Sequence, residues 1–314
     1  MTVLARIYGA VVRTKNALHD HGALPSRHLQ GPVVSVGNIA VGGSGKTPFV
    51  IALGELLKAR GVPFDVLSRG YGRSSAGVLL VDPQGSPDKF GDEPLLIARR
   101  LGVPVVIGEK RYEAGKFAEA RFGPQLHILD DGFQHRALAR DLDIVMVNQS
   151  DFQDQLLPKG RLRESLTALK RADVIVMEDG AKYLPSWIGG KMMWRVRRGV
   201  TFPALPARVA AFCGVARPER FFSQLREAGV VAAVEVAYSD HHIYTEKDVR
   251  HLLAIQDEKN CGGFVTTEKD VINLREHVSL LRPLFPASVT MELIRAESAL
   301  NFLLKKIQPS PVTL

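Results

Sequence analysis

The sequence predicts an α/β fold, a doubly wound and mostly parallel sheet followed by a second, smaller α/β domain. Three observations carry that prediction. Short apolar runs rich in β-branched residues alternate with helical stretches along most of the chain, which is the rhythm of a parallel sheet with helices on its faces. A glycine-rich loop stands between the first clear strand and the helix that follows it. From residue 185 to residue 206 the pattern breaks into a Pro- and Gly-containing basic stretch, and beyond it strands and helices resume.

Taken in order, the chain opens with helical spacing. Leu4, Ile7, Tyr8, Val11, Val12 and Leu18 fall on one face, Arg6 and Arg13 lie opposite, and Lys15 sits at the apolar edge. These cations leave only residues 7–12 uncharged. A spanning helix needs about 20 apolar residues and a signal-peptide core about 7 to 15, so neither is expected here. The segment reads either as an interfacial helix with its cations near anionic lipid or as a terminal helix docked on its own domain.

Strands follow at residues 32–36, 64–68, 103–107, 126–129, 144–147 and 174–177, with helices at 48–60, 93–101 and 111–121. Together with the opening helix they form a first domain over residues 1–185. Residues 186–206 read as a connector, a strand pair with a cationic face through Lys191-Met-Met-Trp-Arg-Val-Arg-Arg198, although Met192, Met193 and Trp194 also suit a helix-borne core position. Residues 207–314 form the smaller domain, with strands at 209–213, 231–236, 263–266 and 289–293, helices at 218–228 and 246–256, and a frayed tail from Gln308.

Of the 314 residues 46% are hydrophobic and 24% charged, the balance of a globular protein rather than a fibre or a disordered chain. Lys plus Arg exceed Asp plus Glu by 41 to 33, a formal charge of +8 that favours an anionic partner. Nucleic acid, anionic lipid and phosphorylated metabolite all satisfy that charge. The two cysteines, Cys213 and Cys261, are too few and too far apart for a disulfide framework or zinc site, and read as packing residues in a reducing cytosol.

The strongest chemical signal is Ala40-Val-Gly-Gly-Ser-Gly-Lys-Thr47, directly after a strand and before a helix. In that context successive backbone N–H groups and a helix N-terminus converge on phosphate oxygens, which makes the fold P-loop NTPase-like. Ala40, Val41, Gly42, Gly43, Ser44, Gly45, Lys46 and Thr47 would then cradle the phosphates of a nucleoside triphosphate with Mg2+, a loop that fits ATPases, GTPases and kinases alike. Lys46 serves the β- and γ-phosphates and Thr47 the metal. The general pattern has glycine where Ala40 stands, so the loop is expected to turn differently at that point.

Transfer chemistry also needs carboxylates. Leu126-His-Ile-Leu-Asp-Asp131 is a short strand ending in two acids, where a Walker-B aspartate would emerge, so Asp130 or Asp131 is expected to hold Mg2+. Asp92, in Gly91-Asp-Glu-Pro94, suits a helix cap or a general base. As a base it needs help, because an aspartate pKa of about 3.9 makes a weak proton acceptor. His241, in Asp240-His-His242, is the best candidate to orient it or to share its proton.

The series as a whole is specific. Ser35-Val-Gly-Asn38 leading into the P-loop, Ser68-Arg-Gly-Tyr-Gly72, Gly91-Asp-Glu-Pro94, Asp130-Asp-Gly-Phe-Gln-His135 with Arg140-Asp141, Leu156-Leu-Pro158 with Leu162-Arg-Glu164, Asp240-His241 and Thr266-Thr-Glu-Lys-Asp270 resemble the tetraacyldisaccharide 4'-kinase family. The resemblance runs from residue 1 to beyond residue 270. It implies transfer of the ATP γ-phosphate to the 4'-hydroxyl of a tetraacylated disaccharide 1-phosphate, giving lipid IVA in lipid A biosynthesis.

Carried over by position, it implies Asp92 as base with His241 as partner across a cleft. Lys46, Thr47, Glu93 and Asp130 would sit on the phosphate and metal side, and Arg163 would neutralise the phosphoryl group. Asn38, Arg69, Tyr71, Arg111, Gln134 and His135 would lie near the sugar or the phosphoryl group. It also implies a peripheral monomer at the cytoplasmic face of the inner membrane, binding an anionic surface and no nucleic acid. The opening helix would dock on the membrane, and the basic stretches 159–171 and 191–198 would meet lipid phosphates. A P-loop ATPase switch acting on a membrane-associated partner is the competing reading. The block Thr266 to Asp270 has no assigned role.

Overall fold

Strand β1 (Val33–Asn38) is apolar on both faces and wholly buried, as a central parallel strand must be. A computed structural model describes residues 3–181, 185–188 and 190–308 around it. The elements that precede and follow it in the first half are α1 (Val3–Asp20), α2 (Lys46–Ala59), β2 (Phe64–Ser68), β3 (Leu79–Leu80), α3 (Pro87–Phe90), α4 (Asp92–Leu101), β4 (Val105–Ile107), α5 (Arg111–Phe122), β5 (Leu126–Asp130), β6 (Leu142–Met146) and β7 (Val174–Glu178). The second half holds β8 (Met192–Thr201), β9 (Ala210–Cys213), α6 (Pro218–Glu227), β10 (Val234–Ala237), α7 (Glu246–Glu258), β11 (Phe264–Thr267), α8 (Glu268–Leu274), β12 (Leu284–Ile294) and α9 (Ala296–Ile307).

Among the described residues the strands run in the order β10-β9-β11-β12-β8-β7-β6-β1-β5-β2-β4-β3. Every pairing is parallel except β12 with β8 and β3 with β4. The expected α/β rhythm is therefore present, and the first-half strands other than the unread β3 fall where the apolar runs placed them. The arrangement positions the chemistry through register. Val36 of β1 faces Asp130 of β5, and Leu67 of β2 faces Leu129, so the carboxyl ends of three neighbouring strands open onto the loop before α2.

Among the described residues three clusters cover the faces of the first-half strands: one under α2, α4 and α9 around Phe49, Leu57, Ile97 and Leu300, one around Ile39, Phe133 and Leu169, and one under α5 around Leu67, Val106, Ala114 and Leu129. The second half has its own clusters, around Phe212, Tyr244 and Phe264 and around Phe221, Phe222 and Val265. Cys213 and Cys261 are free thiols buried in these clusters, as packing residues.

Several expectations are corrected. Residues 192–201 are one ten-residue strand inside the sheet, not a helix or a strand pair. Its alternation buries Trp194 and Val196 on one face and leaves Met193 half-buried against the Ile39 cluster on the other, so of the three only Met192 is exposed. Helix α9, with Ala299, Leu300 and Leu303 buried, went unread, as did α8. The last strand begins at Leu284 rather than residue 289. Only Gln308 of the tail expected to fray lies within the described residues.

Helix α1 divides the face its spacing defined. Ala5 and Gly9 are buried and Tyr8 and Val12 half-buried, whereas Val3, Leu4, Ile7 and Val11 are more than half exposed, at 73, 65, 57 and 63%. No helix among the described residues is long and apolar enough to cross a membrane.

Candidate active site

The loop after β1 is built by backbone geometry. Gly42, Gly43 and Gly45 have φ of 76, 51 and 86°, left-handed values that glycine adopts without steric cost. Gly45 caps α2, and Lys46 and Thr47 begin the helix. A side chain at Gly45 would lie 2.6 Å from the guanidinium of Arg198, and one at Gly43 would lie 2.9 Å from Arg217. Both arginines belong to the second half of the chain and roof the loop, enclosing a cleft of about 190 Å3 whose walls include Lys46, Thr47, Glu93 and Lys269. Arg198 donates to the Ser44 carbonyl, and its pKa is lowered to about 10 by burial, which still leaves it cationic at neutral pH.

Polar atoms at this mouth lack partners: Ser44 Oγ, Arg198 Nε and Arg217 Nη2 are buried without one. A buried donor left unpaired costs roughly 1–3 kcal/mol, so the cradle is complementary to an anion with many acceptor oxygens.

The strand-end acids have separate roles. Asp131 is bound by Arg163 Nη1 at 2.8 and 3.0 Å and by Lys46 Nζ at 3.3 Å. Burial works against its charge, but the two cations hold it below the usual carboxylate range. Asp130 accepts from Ser68 Oγ at 3.0 Å through Oδ2, while Oδ1 is buried without a partner. Burial pushes its pKa up to about 7, with Glu93 and Asp131 adding repulsion. Among the described residues Asp130 makes no direct ion pair, and Lys46 and Arg111 act on it only at longer range.

Among the described residues no three His, Cys, Asp or Glu side chains converge on a metal position. Mg2+ fits such a site, since it takes one or two carboxylates and completes its shell with phosphates and water. Asp130 Oδ1 supplies the unmet oxygen, with Thr47 and Glu93 on the adjoining walls.

Arg163 arrives through a short antiparallel bridge. Its N–H donates to the Ile39 carbonyl at 2.7 Å, Val41 N–H donates to Arg161, and Ala40 pairs with Leu162. The guanidinium also reaches Gln134 Oε1 at 3.4 Å, and Gln134 donates to the Asn38 carbonyl at 2.8 Å. Asn38 is buried, donates to the Ala40 carbonyl and leaves Oδ1 unmet.

Arg111 is buried at the start of α5, bonded to the Gly108 and Glu109 carbonyls, with Asp130, Asp131, Arg69 and Arg73 in its field. Burial lowers its pKa to about 10. His135 is lowered to about 4 by burial and by the cations around it, so it is neutral at pH 7. Arg69 is exposed. Tyr71 is 65% exposed, with its ring 5.5 Å from that of His241.

Asp92 begins α4 after Gly91, whose φ of 86° and proximity to the Tyr71 carbonyl, 2.9 Å from any added Cβ, exclude a side chain. Asp92 is 5% exposed. His241 Nδ1 lies 2.9 Å from its Oδ2 and 3.1 Å from Oδ1, and Asn273 Nδ2 donates to Oδ2 at 3.0 Å. Burial disfavours the charge, yet His241, Lys269 and Asn273 together hold Asp92 down at about 2. Conversely, the Asp92 bond raises the His241 pKa against burial and Lys269. His241 stands at φ 56°, a left-handed turn closed by its own N–H on Asp240 Oδ1 at 3.1 Å.

The structure therefore gathers Lys46, Arg163, Asp131, Asn38 and Gln134 into one network beside Asp130, with Asp92 and His241 as a pair whose neighbour Glu93 lines the same cleft. Sequence reasoning missed Arg198, Arg217, Lys269 and Asn273. Arg198 lay within a stretch expected to face lipid, but that stretch is largely engaged internally, since Lys191 donates to the Lys170 and Ala172 carbonyls and Arg195 to that of Glu178.

A parallel sheet with a glycine loop at the end of a central strand, an acid at the end of its neighbour and a carboxylate-imidazole pair across the cleft defines a P-loop phosphotransferase. Residues 1–308 match the family described as tetraacyldisaccharide-1-P 4'-kinase, and the chain belongs to that family. It is 46% identical to the tetraacyldisaccharide 4'-kinase of Koribacter versatilis over 98% of this chain and 99% of that one. The enzyme of the same name from Aquifex aeolicus is 36% identical over 91 and 93%. The crystal structure of Aquifex aeolicus LpxK in complex with ATP superposes with a TM-score of 0.79, at 32% identity over 97% of each chain.

Proposed function

We infer that this chain transfers the γ-phosphate of ATP to the 4'-hydroxyl of a tetraacylated disaccharide 1-phosphate, the step that yields lipid IVA in lipid A biosynthesis. Family membership over residues 1–308 supports the reaction, and the single observation that carries its chemistry is the 2.9 Å contact between Asp92 and His241 beside the P-loop cleft.

Phosphoryl transfer asks the protein for positioning and charge neutralisation more than for covalent work. Residues 40–47 hold the triphosphate, with Lys46 on its β- and γ-oxygens. Thr47, Asp130 and Glu93 are the residues that would hold Mg2+, which when bound would neutralise part of the triphosphate charge. Asp131 holds Lys46 and Arg163 side by side, and together these cations would neutralise the charge that develops on the phosphoryl group.

The acceptor hydroxyl gives its proton to Asp92. Its depressed pKa keeps it ionised at neutral pH, and the His241 contact orients the carboxylate. Arg69, Tyr71, Arg111, Gln134 and His135 form the acceptor side. Since His241 already touches Asp92, closure of the two halves is not needed to assemble the pair, and serves to exclude water from the phosphoryl group.

The exposed Leu4, Ile7 and Val11 of α1, with Arg6 and Arg13, support docking at an anionic membrane surface on the cytoplasmic side. The test of the reaction is direct. Purified protein is incubated with γ-labelled ATP, Mg2+ and the disaccharide 1-phosphate lipid; label is expected on the lipid at the 4' position. Hydrolysis of ATP at the same rate with and without lipid, leaving the lipid unlabelled, would defeat the reading.

A further inference from the structure

The block Thr266-Thr-Glu-Lys-Asp270 forms the end of β11 and the first turn of α8. Thr267 caps that helix, accepting from Asp270 N–H at 3.2 Å and donating its hydroxyl to Asp270 Oδ2 at 2.5 Å. Asp270 is fully buried and also accepts from Gly214 N–H at 2.7 Å and from the Tyr244 hydroxyl at 2.8 Å. These bonds tie the start of α8 to the end of β9 and to the turn that carries His241. The residue between them is thereby fixed in direction.

That residue is Lys269, which points into the cleft. Its ammonium lies 3.3 Å from Asp240 Oδ1, 3.4 Å from His241 Nε2, and 3.7 Å from both Asp92 Oδ2 and Glu93 Oε1. Asn273, one helical turn on and so on the same face, donates to Asp92 Oδ2 at 3.0 Å. Three carboxylates and an imidazole thus surround one cation. An ammonium has three N–H donors and no acceptor. At 3.4 Å from His241 Nε2, nearer than the Asp240 carboxylate at 3.7 Å, it favours an imidazole whose Nε2 carries the lone pair, which leaves the ring proton on Nδ1, against Asp92.

We propose that Lys269 is a positioning residue for phosphoryl transfer: its ammonium fixes His241 in the tautomer that donates Nδ1–H to Asp92 and gathers the Asp92, Glu93 and Asp240 carboxylates about one point. The proposal rests on the reading of Asp92 as acceptor of the hydroxyl proton. Lys269 acts through its neighbours, so its loss slows transfer without weakening substrate binding. Arginine keeps the charge but not the compact ammonium geometry, and restores only part of the rate.

Transfer kinetics of Lys269→Met, Lys269→Arg, His241→Ala and the His241→Ala/Lys269→Met double variant test this. Lys269→Met is expected to lower kcat about 10-fold to 100-fold, the usual cost of removing an orienting partner, with KM for ATP and lipid changed by less than about 2-fold. The double variant is expected to be slowed by clearly less than the product of the two single losses, because the two residues act in part as a unit. Independent, multiplicative losses, or a loss confined to KM for ATP, would overturn the proposal.

Ring-nitrogen NMR shifts of His241 read the tautomer without reference to activity, and are measured on Lys269→Gln if Lys269→Met does not fold. The Nδ1–H form is expected in the native protein and a mixture in the variant; the same tautomer in both also overturns it. Full activity of Asp92→Ala would instead remove the underlying reading, whereas impaired Asp92→Ala with unimpaired Lys269→Met removes this inference alone.

Discussion

His241 Nδ1 lies 2.9 Å from Asp92 Oδ2 although 149 positions separate the two residues in sequence. The pair joins the first turn of α4 to a left-handed turn that follows β10, so each half of the chain supplies one member. This contact orients the carboxylate while holding its pKa below the ordinary aspartate value, and it has consequences for pH dependence.

The Asp92 pKa is depressed in the folded state, so its contribution to stability is present above the ordinary carboxylate value and lost as pH falls through about 2. That of His241 is raised, so its contribution is present below about 6.5 and lost as pH rises through the folded value. The stability difference between native protein and Asp92→Asn is therefore expected to peak between about pH 4 and about pH 6.5. Urea unfolding across pH measures it. The His241 titration, followed by NMR, is expected to shift downward in the same variant.

Asp131 organises the two cations, and Asp130 keeps an unmet oxygen. Asp131→Asn is expected to leave Lys46 and Arg163 without a shared counter-charge and to lower kcat. Asp130→Asn is expected to raise the Mg2+ concentration needed for half-maximal rate by about 10-fold or more, as loss of a metal-side ligand does. Rates measured over a Mg2+ series separate the two.

Much of this site was legible because its residues lie in short local patterns. The loop from Ala40 to Thr47 and the Asp130-Asp131 pair each announce their place, at the end of an apolar strand, without knowledge of the rest of the fold. Lys269 and Arg198 carry no such signal. Each owes its role to a side-chain direction fixed by distant partners: Asp270 bonded to Gly214 and Tyr244 in one case, and the β8 register against β12 in the other. In the stretch 191–198 the cations read as contacts to lipid phosphates, whereas Lys191, Arg195 and Arg198 bond backbone carbonyls within the protein. Helix α9 was missed for a different reason: it starts at Arg295 in a left-handed conformation without a side-chain cap, so the usual start signal is absent.

Asp270 has three buried partners and no solvent exposure. Asp270→Ala leaves Tyr244, Gly214 and Thr267 with unpaired groups and is expected to destabilise the protein by about 3 kcal/mol or more. Thermal melting is expected to show the loss, with activity falling only as far as the folded fraction and the Lys269 geometry fall.

Helix α1 keeps Tyr8 and Asn16 on the protein side, where they bond the Arg163 carbonyl at 2.9 Å and Glu164 at 2.6 Å, and leaves Ile7 and Val11 outside. The double substitution Ile7→Asp and Val11→Asp is therefore expected to preserve the fold while weakening binding to anionic vesicles about 10-fold or more, as loss of two inserted aliphatic side chains implies. Vesicle sedimentation measures this.

The proton-accepting role of Asp92 is most directly tested by single-turnover transfer from saturating ATP to the lipid acceptor in Asp92→Ala, alongside its ATP affinity. The account predicts an unchanged affinity and a chemical step slowed by about 10² to 10⁴. A chemical step at the native rate, with nucleotide bound as tightly as before, contradicts it.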